Sequence, residues 1–302
     1  MSLSFLIRQF DMHEFESLVE ISAKEFPADD KLLRADYAQW LYLENPHGIA
    51  KIVSAAENGR WVAFLAMIPA ALIVKGVRRS GYFVVNVLVD PAQRGKNIFG
   101  HLIEIAQDQV KSEGALLLGH PNTAAVGAWR RAGMRFHPPL RARLLSPIRL
   151  LSGEFDRAES SGTAGLRNFI ERYNEEALET SRIAPILSEE YMRWRFIRHP
   201  SNRYRMLVIS KAGTVLGVMI VKNIRWGVNL LLDCFALQGQ RDVALSFAPW
   251  FTFALAAPAL ANASSRLWPA PIKKEFPFFC TDSARSVEAD EVECLGLSLS
   301  DF

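Results

Sequence analysis

The feature that most constrains the fold of this chain is a segment that occurs twice. DYAQWLYLENPHGIAKIVSAAENGRWVAFLAMI (residues 36–68) aligns without a gap with EYMRWRFIRHPSNRYRMLVISKAGTVLGVMIVK (residues 190–222). Four identities fall at one constant offset: Tyr37 with Tyr191, Trp40 with Trp194, Pro46 with Pro200, and Gly59 with Gly213. Both segments read as a helix, a proline stop, a strand, a tight turn and a second strand. An internal duplication explains this agreement better than chance does, and it predicts two domains of one architecture.

The elements predicted in each half favour an α/β (α+β) fold. In the first half a short strand at 5–9 precedes helices at 11–26 and 30–43, and three apolar stretches separated by turns then read as an antiparallel meander. A strand–helix–strand–helix order follows. Each half is therefore expected to form a mixed, mainly antiparallel, twisted sheet flanked by helices.

The length and a polar segment predict where the two domains divide. A chain of 302 residues is long for one hydrophobic core, so two domains are expected. The stretch SGEFDRAESSGTA (residues 152–164) is the most polar and least periodic in the chain, and it reads as a linker. The predicted division is a first domain at 1–150, a linker at 151–164 and a second domain at 165–302.

The composition limits the partners and the compartment. A formal net charge of +3 without a dense Lys/Arg block argues against a nucleic-acid partner. The uncharged stretch 243–265 is nearly long enough to span a membrane, but its prolines and small residues favour a buried helix, so no membrane insertion is expected. Cys234, Cys280 and Cys294 form no CxxC pair, and the N-terminus does not read as a signal peptide, so a cytoplasmic protein is predicted.

One strand leads directly into a helix through a basic, glycine-containing turn. In VLVDPAQRGKNIFGHLI (residues 87–103) the strand ends at Asp90-Pro91, and Arg94-Gly95-Lys96 precede the helix. The free N–H groups and the positive dipole end of a helix N-terminus bind phosphate groups, and the two basic side chains add positive charge. The turn therefore predicts a cradle for a phosphorylated ligand.

A second block follows, ALLLGHPNTAAVGAWRRAGMRF (residues 115–136), with Asn122, Ala125, Trp129 and Gly133 in register. Together the two blocks resemble the signature blocks of the GNAT superfamily of acyl-CoA-dependent N-acyltransferases. The resemblance implies two GNAT-like domains. It also implies acetyl-CoA or another short acyl-CoA as co-substrate, without a metal.

The resemblance further implies which residues contact the coenzyme. The pantetheine arm would pair with backbone groups of Leu88 and Val89, and with the second strand near Gly119, where two parallel strands splay. The implied coenzyme-binding residues are Leu88, Val89, Arg94, Gly95, Lys96, Asn97, Ile98, Phe99, Asn122 and Trp129.

Three of these positions depart from the family pattern. Asn97 replaces a glycine, and Phe99 replaces a small residue, so its ring must turn away from the phosphates or narrow the cradle. Trp129 stands where many members have a Tyr that protonates the leaving thiolate, and an indole N–H cannot serve as that acid. The strand at 81–89 also lacks the carboxylate that some members use as general base.

Three residues are candidates for proton transfer. His120 ends the strand that would flank the thioester, and its ordinary pKa suits a base, although a strand-end histidine often only bonds backbone. Asn86 lies mid-strand among valines, where it would orient substrate or water, or be a satisfied amide on a half-buried face. Tyr82 carries a phenol that could serve as an acid, although aromatic residues commonly fill strands.

These observations predict an N-acyltransferase whose acceptor is an amine on a small molecule that attacks the thioester directly. YMRWRFIRHP (residues 191–200) resembles a block of tandem GNAT proteins associated with polysaccharide synthesis, which implies an amino sugar as acceptor. In the second half Asp242 follows the loop Gln238-Gly239-Gln240-Arg241, where an acid would repel phosphate, so this half is expected to have lost coenzyme binding. Two alternatives stay open: a non-catalytic acyl-CoA-binding or regulatory protein, and an enzyme that takes aminoacyl-tRNA as donor. A homodimer is also left open.

Overall fold

The computed structural model describes residues 3–145, 154–180, 183–225, 227–256, 267–269 and 275–282. The strands are β1 (Leu3–Gln9), β2 (Lys51–Glu57), β3 (Arg60–Val74), β4 (Val77–Val89), β5 (Leu116–Gly119), β6 (Phe136–Leu145), β7 (Phe155–Ser160), β8 (Ile183–Pro185), β9 (Arg205–Lys211), β10 (Thr214–Arg225), β11 (Val228–Ala236), β12 (Thr252–Ala256), β13 (Leu267–Pro269) and β14 (Glu275–Asp282). The α-helices are α1 (Phe15–Ser22), α2 (Ala35–Ala38), α3 (Ile98–Glu113), α4 (Val126–Arg131), α5 (Arg167–Leu178), α6 (Glu189–Met192) and α7 (Arg241–Ser246). A π-helix follows α2 at Gln39–Leu43, and another follows α6 at Arg193–Ile197.

The strands form one continuous sheet in the order β1-β2-β3-β4-β5-β14-β6-β12-β11-β10-β9-β7, with β8 paired to β3 and β13 to β6. The pairs β4–β5 and β11–β12 are parallel, and the other pairs are antiparallel. Counted inward from its two ends, this order matches β1 with β7, β2 with β9, β3 with β10, β4 with β11 and β5 with β12. The predicted fold class is confirmed, and the mixed sheets of the two halves join edge to edge.

The repeated sequence builds repeated structure. α6, the π-helix after it and β9 begin and end 154 residues after α2, the first π-helix and β2, the same separation as between Trp40 and Trp194. The β2–β3 and β9–β10 turns each place a glycine, Gly59 or Gly213, after another residue with positive φ. Such two-residue turns match the right-handed twist of the strands that they join. The predicted duplication is therefore present in the fold.

The two copies meet at a pair of tryptophans. Nε1 of Trp40 donates to the carbonyl of Trp194 at 2.9 Å, and Nε1 of Trp194 donates to the carbonyl of Trp40 at 2.8 Å. The two rings stack with their centroids 5.2 Å apart, and both side chains are buried. Because equivalent residues make reciprocal bonds, a local two-fold axis relates the halves here. The largest hydrophobic core passes through this contact and draws residues from both halves.

The last strands of the two halves are exchanged. β6 of the first half pairs with β12 of the second, and β14 of the second half pairs with β5 of the first. β6 and β14 also pair with each other. Phe279 of β14 is fully buried, and its ring lies 4.7 Å from Trp129 and 5.8 Å from Phe136, measured between centroids. Each half therefore supplies a strand to the sheet of the other.

Part of the predicted linker is a strand. Residues 155–160 form β7, which pairs with β9 at one edge of the sheet. β1, paired with β2, occupies the opposite edge. An edge strand tolerates a polar sequence because its outer side faces water. Six residues of the predicted linker are therefore an edge strand of the sheet. The division into 1–150 and 165–302 stays a prediction, and the exchange of β6 and β14 crosses it.

Two helix predictions also need correction. In the stretch 243–265, α7 ends at Ser246 and β12 follows at Thr252–Ala256, whereas residues 257–266 lie outside the described part. An apolar run without a clear period fits a buried strand as well as a buried helix, which explains the error. The helices expected at 11–26 and 30–43 are shorter and are interrupted by turns. None of the helices in the described part is long and apolar enough to cross a membrane.

Candidate functional site

A β-bulge in β4 ends its pairing with β5. One extra residue lies in β4 opposite Leu65, where the register of the β3–β4 pair shifts. Asn86 accommodates it with a φ of +52°, a left-handed conformation that Asn adopts more readily than most residues. The parallel pairing of β4 with β5 stops just before, at Val84 and Gly119. The last residues of β4 are therefore free of β5, at the place where the family resemblance implied splayed strands.

We expect Asn86→Gly to lower the free energy of unfolding by about 1 kcal/mol and Asn86→Val by about 3 kcal/mol. Both variants lose the hydrogen bond from Nδ2 to the Tyr42 hydroxyl, which is 2.9 Å long. Only valine adds strain, because a β-branched residue is disfavoured at positive φ. Urea unfolding of both variants measures the difference. Equal losses would contradict the idea that Asn86 is required for its backbone conformation.

The loop between β4 and α3 presents backbone donors. Gly95 and Asn97 have φ values of +90° and +56°, and α3 begins at Ile98. The N–H groups in the first turn of a helix have no partner within it, and they bind anions. A Cβ at Gly100 would lie 2.6 Å from Oδ1 of Asn97, so glycine makes room for the asparagine side chain over this turn. The sequence pattern did not identify Gly100, because the family resemblance places the small residue at the position of Phe99.

β4, this loop, α3 and α4 enclose a cleft of about 740 Å³, a volume typical of small-molecule and cofactor sites. Eight of the ten predicted coenzyme-binding residues line it: Leu88, Val89, Arg94, Gly95, Asn97, Ile98, Phe99 and Asn122. Its other walls are Val87, Gln93, Gly100, Glu104, Ala124, Ala125, Ala128, Arg131 and Ala132. Oδ1 of Asn122 accepts a hydrogen bond from the Ala125 amide at 2.8 Å and so holds the turn before α4. The helix itself begins at Val126.

The other two predicted residues do not line the cleft. Lys96 is exposed on the outside of the loop, where its Nζ lies 2.5 Å from Oε1 of Gln93. Trp129 is buried between Phe99, which meets it edge-on at 5.4 Å between centroids, and Phe279. The contact of Trp129 with the coenzyme stays a prediction, and in this structure the residue lies on the face of α4 that packs on the sheet. The edge-on contact also shows that the Phe99 ring leans toward the core.

Arg130 and Arg131 are neighbours in sequence, but their side chains lie in different surroundings. The Arg130 guanidinium lies over the Phe136 ring, 5.5 Å from its centroid, whereas Arg131 lines the cleft. Consecutive helical residues point about 100° apart, so only one of two adjacent arginines can face the ligand. Arg131 is therefore a second basic side chain at the cleft beside Arg94.

Two ion pairs connect the loop with the turn that follows α1. Arg94 pairs with Glu25, and Asp90 pairs with Lys24 at 2.6 Å. The Lys24 ammonium holds the pKa of the Asp90 carboxyl below its ordinary value. The partners are 69 and 66 residues apart in sequence, and no local signal could have paired them.

The three candidates for proton transfer are not brought together. His120 follows β5 directly, and burial lowers the pKa of its imidazole to about 4, so the ring is neutral at pH 7. The residue is outside the set that lines the cleft. Asn86 forms the bulge and donates to the buried Tyr42 hydroxyl, whose pKa is raised by that burial. Its position in the bulge gives a structural reason for an amide among valines.

Tyr82 lies at the carboxyl end of α3, away from the cleft. Its hydroxyl donates to Oε2 of Glu113 at 2.7 Å, and Glu113 is the last residue of α3, whereas the cleft lies at the first. A 16-residue helix is about 24 Å long. Tyr82 is not among the residues that line the cleft, and its role as the acid stays a prediction. Within the described residues, no three His, Cys, Asp or Glu side chains form a group suited to a metal ion.

The corresponding loop of the second half differs in its donors and in its helix. There the amide of Gln238 donates to Oε2 of Glu176 at 2.6 Å. The helix that follows, α7, has six residues against sixteen in α3. The Glu176 carboxylate thus accepts a hydrogen bond from a loop amide that could otherwise donate to an anionic ligand.

A family match agrees with this site. Residues 6–135 match the family model described as "Acetyltransferase (GNAT) domain". Most of both sequence blocks and the walls of the cleft lie within these residues. Most of the first half of the chain is therefore similar to a GNAT acetyltransferase domain.

Solved structures extend the similarity in fold to the whole chain. A conserved protein of Enterococcus faecalis V583, described as a probable N-acyltransferase, has a TM-score of 0.70 and 13% identity over 93% of this chain and 72% of its own. A GCN5-related N-acetyltransferase from Kribbella flavida has a TM-score of 0.66 and 12% identity over 92% and 71%. A tandem GNAT protein from the clavulanic acid biosynthesis pathway has a TM-score of 0.57 and 12% identity over 95% and 100%. None of the curated proteins matches the chain.

Proposed function

We propose that this protein is an acyl-CoA-dependent N-acyltransferase that moves a short acyl group, foremost acetyl, to an amine on a small molecule. The observation that carries the proposal is the cleft, which joins a strand edge released at the Asn86 bulge to the amino end of α3. One end offers strand backbone to an extended ligand, and the other offers amide donors to an anion. An acyl-CoA has both parts in that order, a pantetheine arm and a diphosphate.

The residues of the cleft suit the parts of such a ligand. The amides at the start of α3, with Arg94 and Arg131, would hold the phosphate groups. Backbone groups of Leu88 and Val89 would pair with the pantetheine amides and direct the thioester toward Gly119. An N–H at that point would stabilise the charge that develops on the thioester oxygen in the transition state.

Proton transfer would rely on water more than on a side chain. Trp129 is buried and cannot act as an acid, and Tyr82 lies at the far end of α3. A neutral His120 could accept a proton only through an intervening group, since it lies outside the cleft walls. An acceptor amine can lose its proton to ordered water before it attacks. Because neither Trp129 nor Tyr82 can protonate a leaving thiolate at the cleft, the second candidate is a protein that binds acyl-CoA without turning it over.

The second half would shape the acceptor site rather than bind a second coenzyme. Its six-residue α7 and the Glu176–Gln238 contact support this view. An amino sugar is the acceptor class proposed, on the short resemblance at 191–200, and the enzyme is proposed to act in the cytoplasm without nucleic acid. A coenzyme-type cleft supports acyl-CoA over aminoacyl-tRNA as donor.

Arg131→Glu is expected to weaken acetyl-CoA binding at least tenfold, because it replaces attraction to the phosphates by repulsion inside the cleft. Isothermal titration calorimetry measures the dissociation constant. Arg130→Glu is the matched control, since it makes the same change of charge one residue away, over Phe136. Its affinity should stay within about threefold of wild type, because an exposed charge outside the cleft is screened by salt.

Failure of folded wild type to bind acetyl-CoA would overturn the proposal. If acetyl-CoA binds, release of free thiol in the presence of a panel of amino sugars and other amines tests turnover. Binding without thiol release for any amine would favour the non-catalytic alternative.

A further inference from the structure

The loop between β4 and α3 is joined to the turn that follows α1 by two ion pairs, and each side contributes one acid and one base. Lys24 pairs with Asp90, and the next residue, Glu25, pairs with Arg94. The two loop residues flank the 3₁₀ turn Pro91–Gln93. We call these four residues the clasp. The turn after α1 therefore contacts both sides of the 3₁₀ turn.

The two pairs of the clasp differ in what they face. The Asp90 side chain is 12% exposed, and it also accepts the Ala92 amide at 2.9 Å, so it belongs to the frame of the loop. The Arg94 side chain is 58% exposed and lines the cleft. The first pair holds the loop in place, whereas the second occupies a guanidinium that an anionic ligand would need.

A carboxylate and a phosphate compete for the same arginine. The guanidinium fork binds either group through the same N–H donors. A carboxylate left beside a bound diphosphate would also repel it. A ligand with more than one negative charge would therefore displace Glu25, whose ion pair is partly exposed and so contributes little stability of its own.

We propose that Glu25 is a competing internal anion: it holds Arg94 at the cleft until the diphosphate of the acyl-CoA takes its place. The inference rests on the proposed function. The Lys24–Asp90 pair keeps the loop attached to the turn after α1 during the exchange, so that turn loses one contact but not its position. Glu25 thereby sets the affinity for the coenzyme below the value that the loop and α3 alone would give.

Calorimetric titration of acetyl-CoA into Glu25→Gln tests the proposal. The variant should bind two- to fivefold more tightly than wild type, roughly the equivalent of one partly exposed ion pair. Glu57→Gln is the matched control, because Glu57 accepts from Nε2 of Gln93 in the same loop at 2.9 Å but does not pair with Arg94. Its affinity should change less than that of Glu25→Gln. Glu25→Asp, which keeps the charge, should bind like wild type.

An Arg94→Gln background separates competition from a general effect of charge. If Glu25 acts through Arg94, Glu25→Gln brings no gain in that background. An equal gain in both backgrounds, or no gain beside a wild type that binds acetyl-CoA, would overturn this inference and leave the proposed function intact. Absence of binding to every folded variant and to wild type would overturn both.

Discussion

Trp194→Ala is expected to lower the free energy of unfolding by about 3–5 kcal/mol, the range for truncating a large buried aromatic residue. The side chain is 4% exposed and stacks on Trp40. Truncation leaves a cavity at the contact between the two halves. It also removes the indole N–H that donates to the Trp40 carbonyl. A buried acceptor left without this donor lowers the free energy of unfolding further. Urea unfolding followed by circular dichroism measures the change.

A control and a double variant make this test specific. Trp250→Ala removes a tryptophan that is 60% exposed, and it should change the free energy of unfolding by less than about 0.5 kcal/mol. Trp40→Ala should cost as much as Trp194→Ala. The double variant should cost clearly less than the sum, because either truncation removes the stack and one of the reciprocal bonds. Additive losses would show that the two residues do not stabilise the interface as a pair.

Phe279→Ala is expected to cost about 3–5 kcal/mol as well, for a different reason. Phe279 lies in β14, which the second half contributes to the sheet of the first, and its ring packs on Trp129 beneath the cleft. Its truncation therefore opens a cavity in the core of the first half from a residue far outside the matched segment 6–135. Chemical unfolding of the full chain provides the measurement. Phe251→Ala, at a side chain that is 67% exposed, should cost less than about 1 kcal/mol.

Gly119→Ala provides a second test of the exchanged strand. A Cβ at Gly119 would lie 2.6 Å from Cζ of Phe279, so the added methyl group should destabilise wild type by about 1–3 kcal/mol through overpacking. In the Phe279→Ala background the ring is gone, and the same substitution should cost much less. An equal cost in both backgrounds would show that β14 does not lie beside β5.

The basic loop before α3 was predictable because its chemistry belongs to the backbone. A turn with Gly95 and Asn97 before a helix presents N–H groups whatever the rest of the chain does. Most of the implied residues therefore line one cleft. Lys96 and Trp129 are the exceptions, because their side chains point away from the cleft. That direction depends on which face of α4 packs on the sheet and on which neighbour a flexible lysine meets.

The catalytic candidates were chosen by residue type, which is a weaker guide. Asn86 was singled out correctly as unusual, but the reason is a positive φ in a bulge that only the register of β3 against β4 reveals. Tyr82 is directed to Glu113 by the length of α3, and the pKa of His120 depends on how deeply its ring is buried. Burial and register arise from contacts between distant parts of the chain.

The sequence by itself determined the duplication, the fold class, the hairpin turns and the basic loop before α3. These follow from local rules: hydrophobic period, turn residues and the free amides of a helix end. Only the tertiary structure decided the exchange of β6 and β14, the reciprocal tryptophans, the strand within the expected linker and the pairing of Glu25 with Arg94. Each of these contacts joins residues far apart in the chain, and the pattern around one segment carries no information about which distant segment will pack against it.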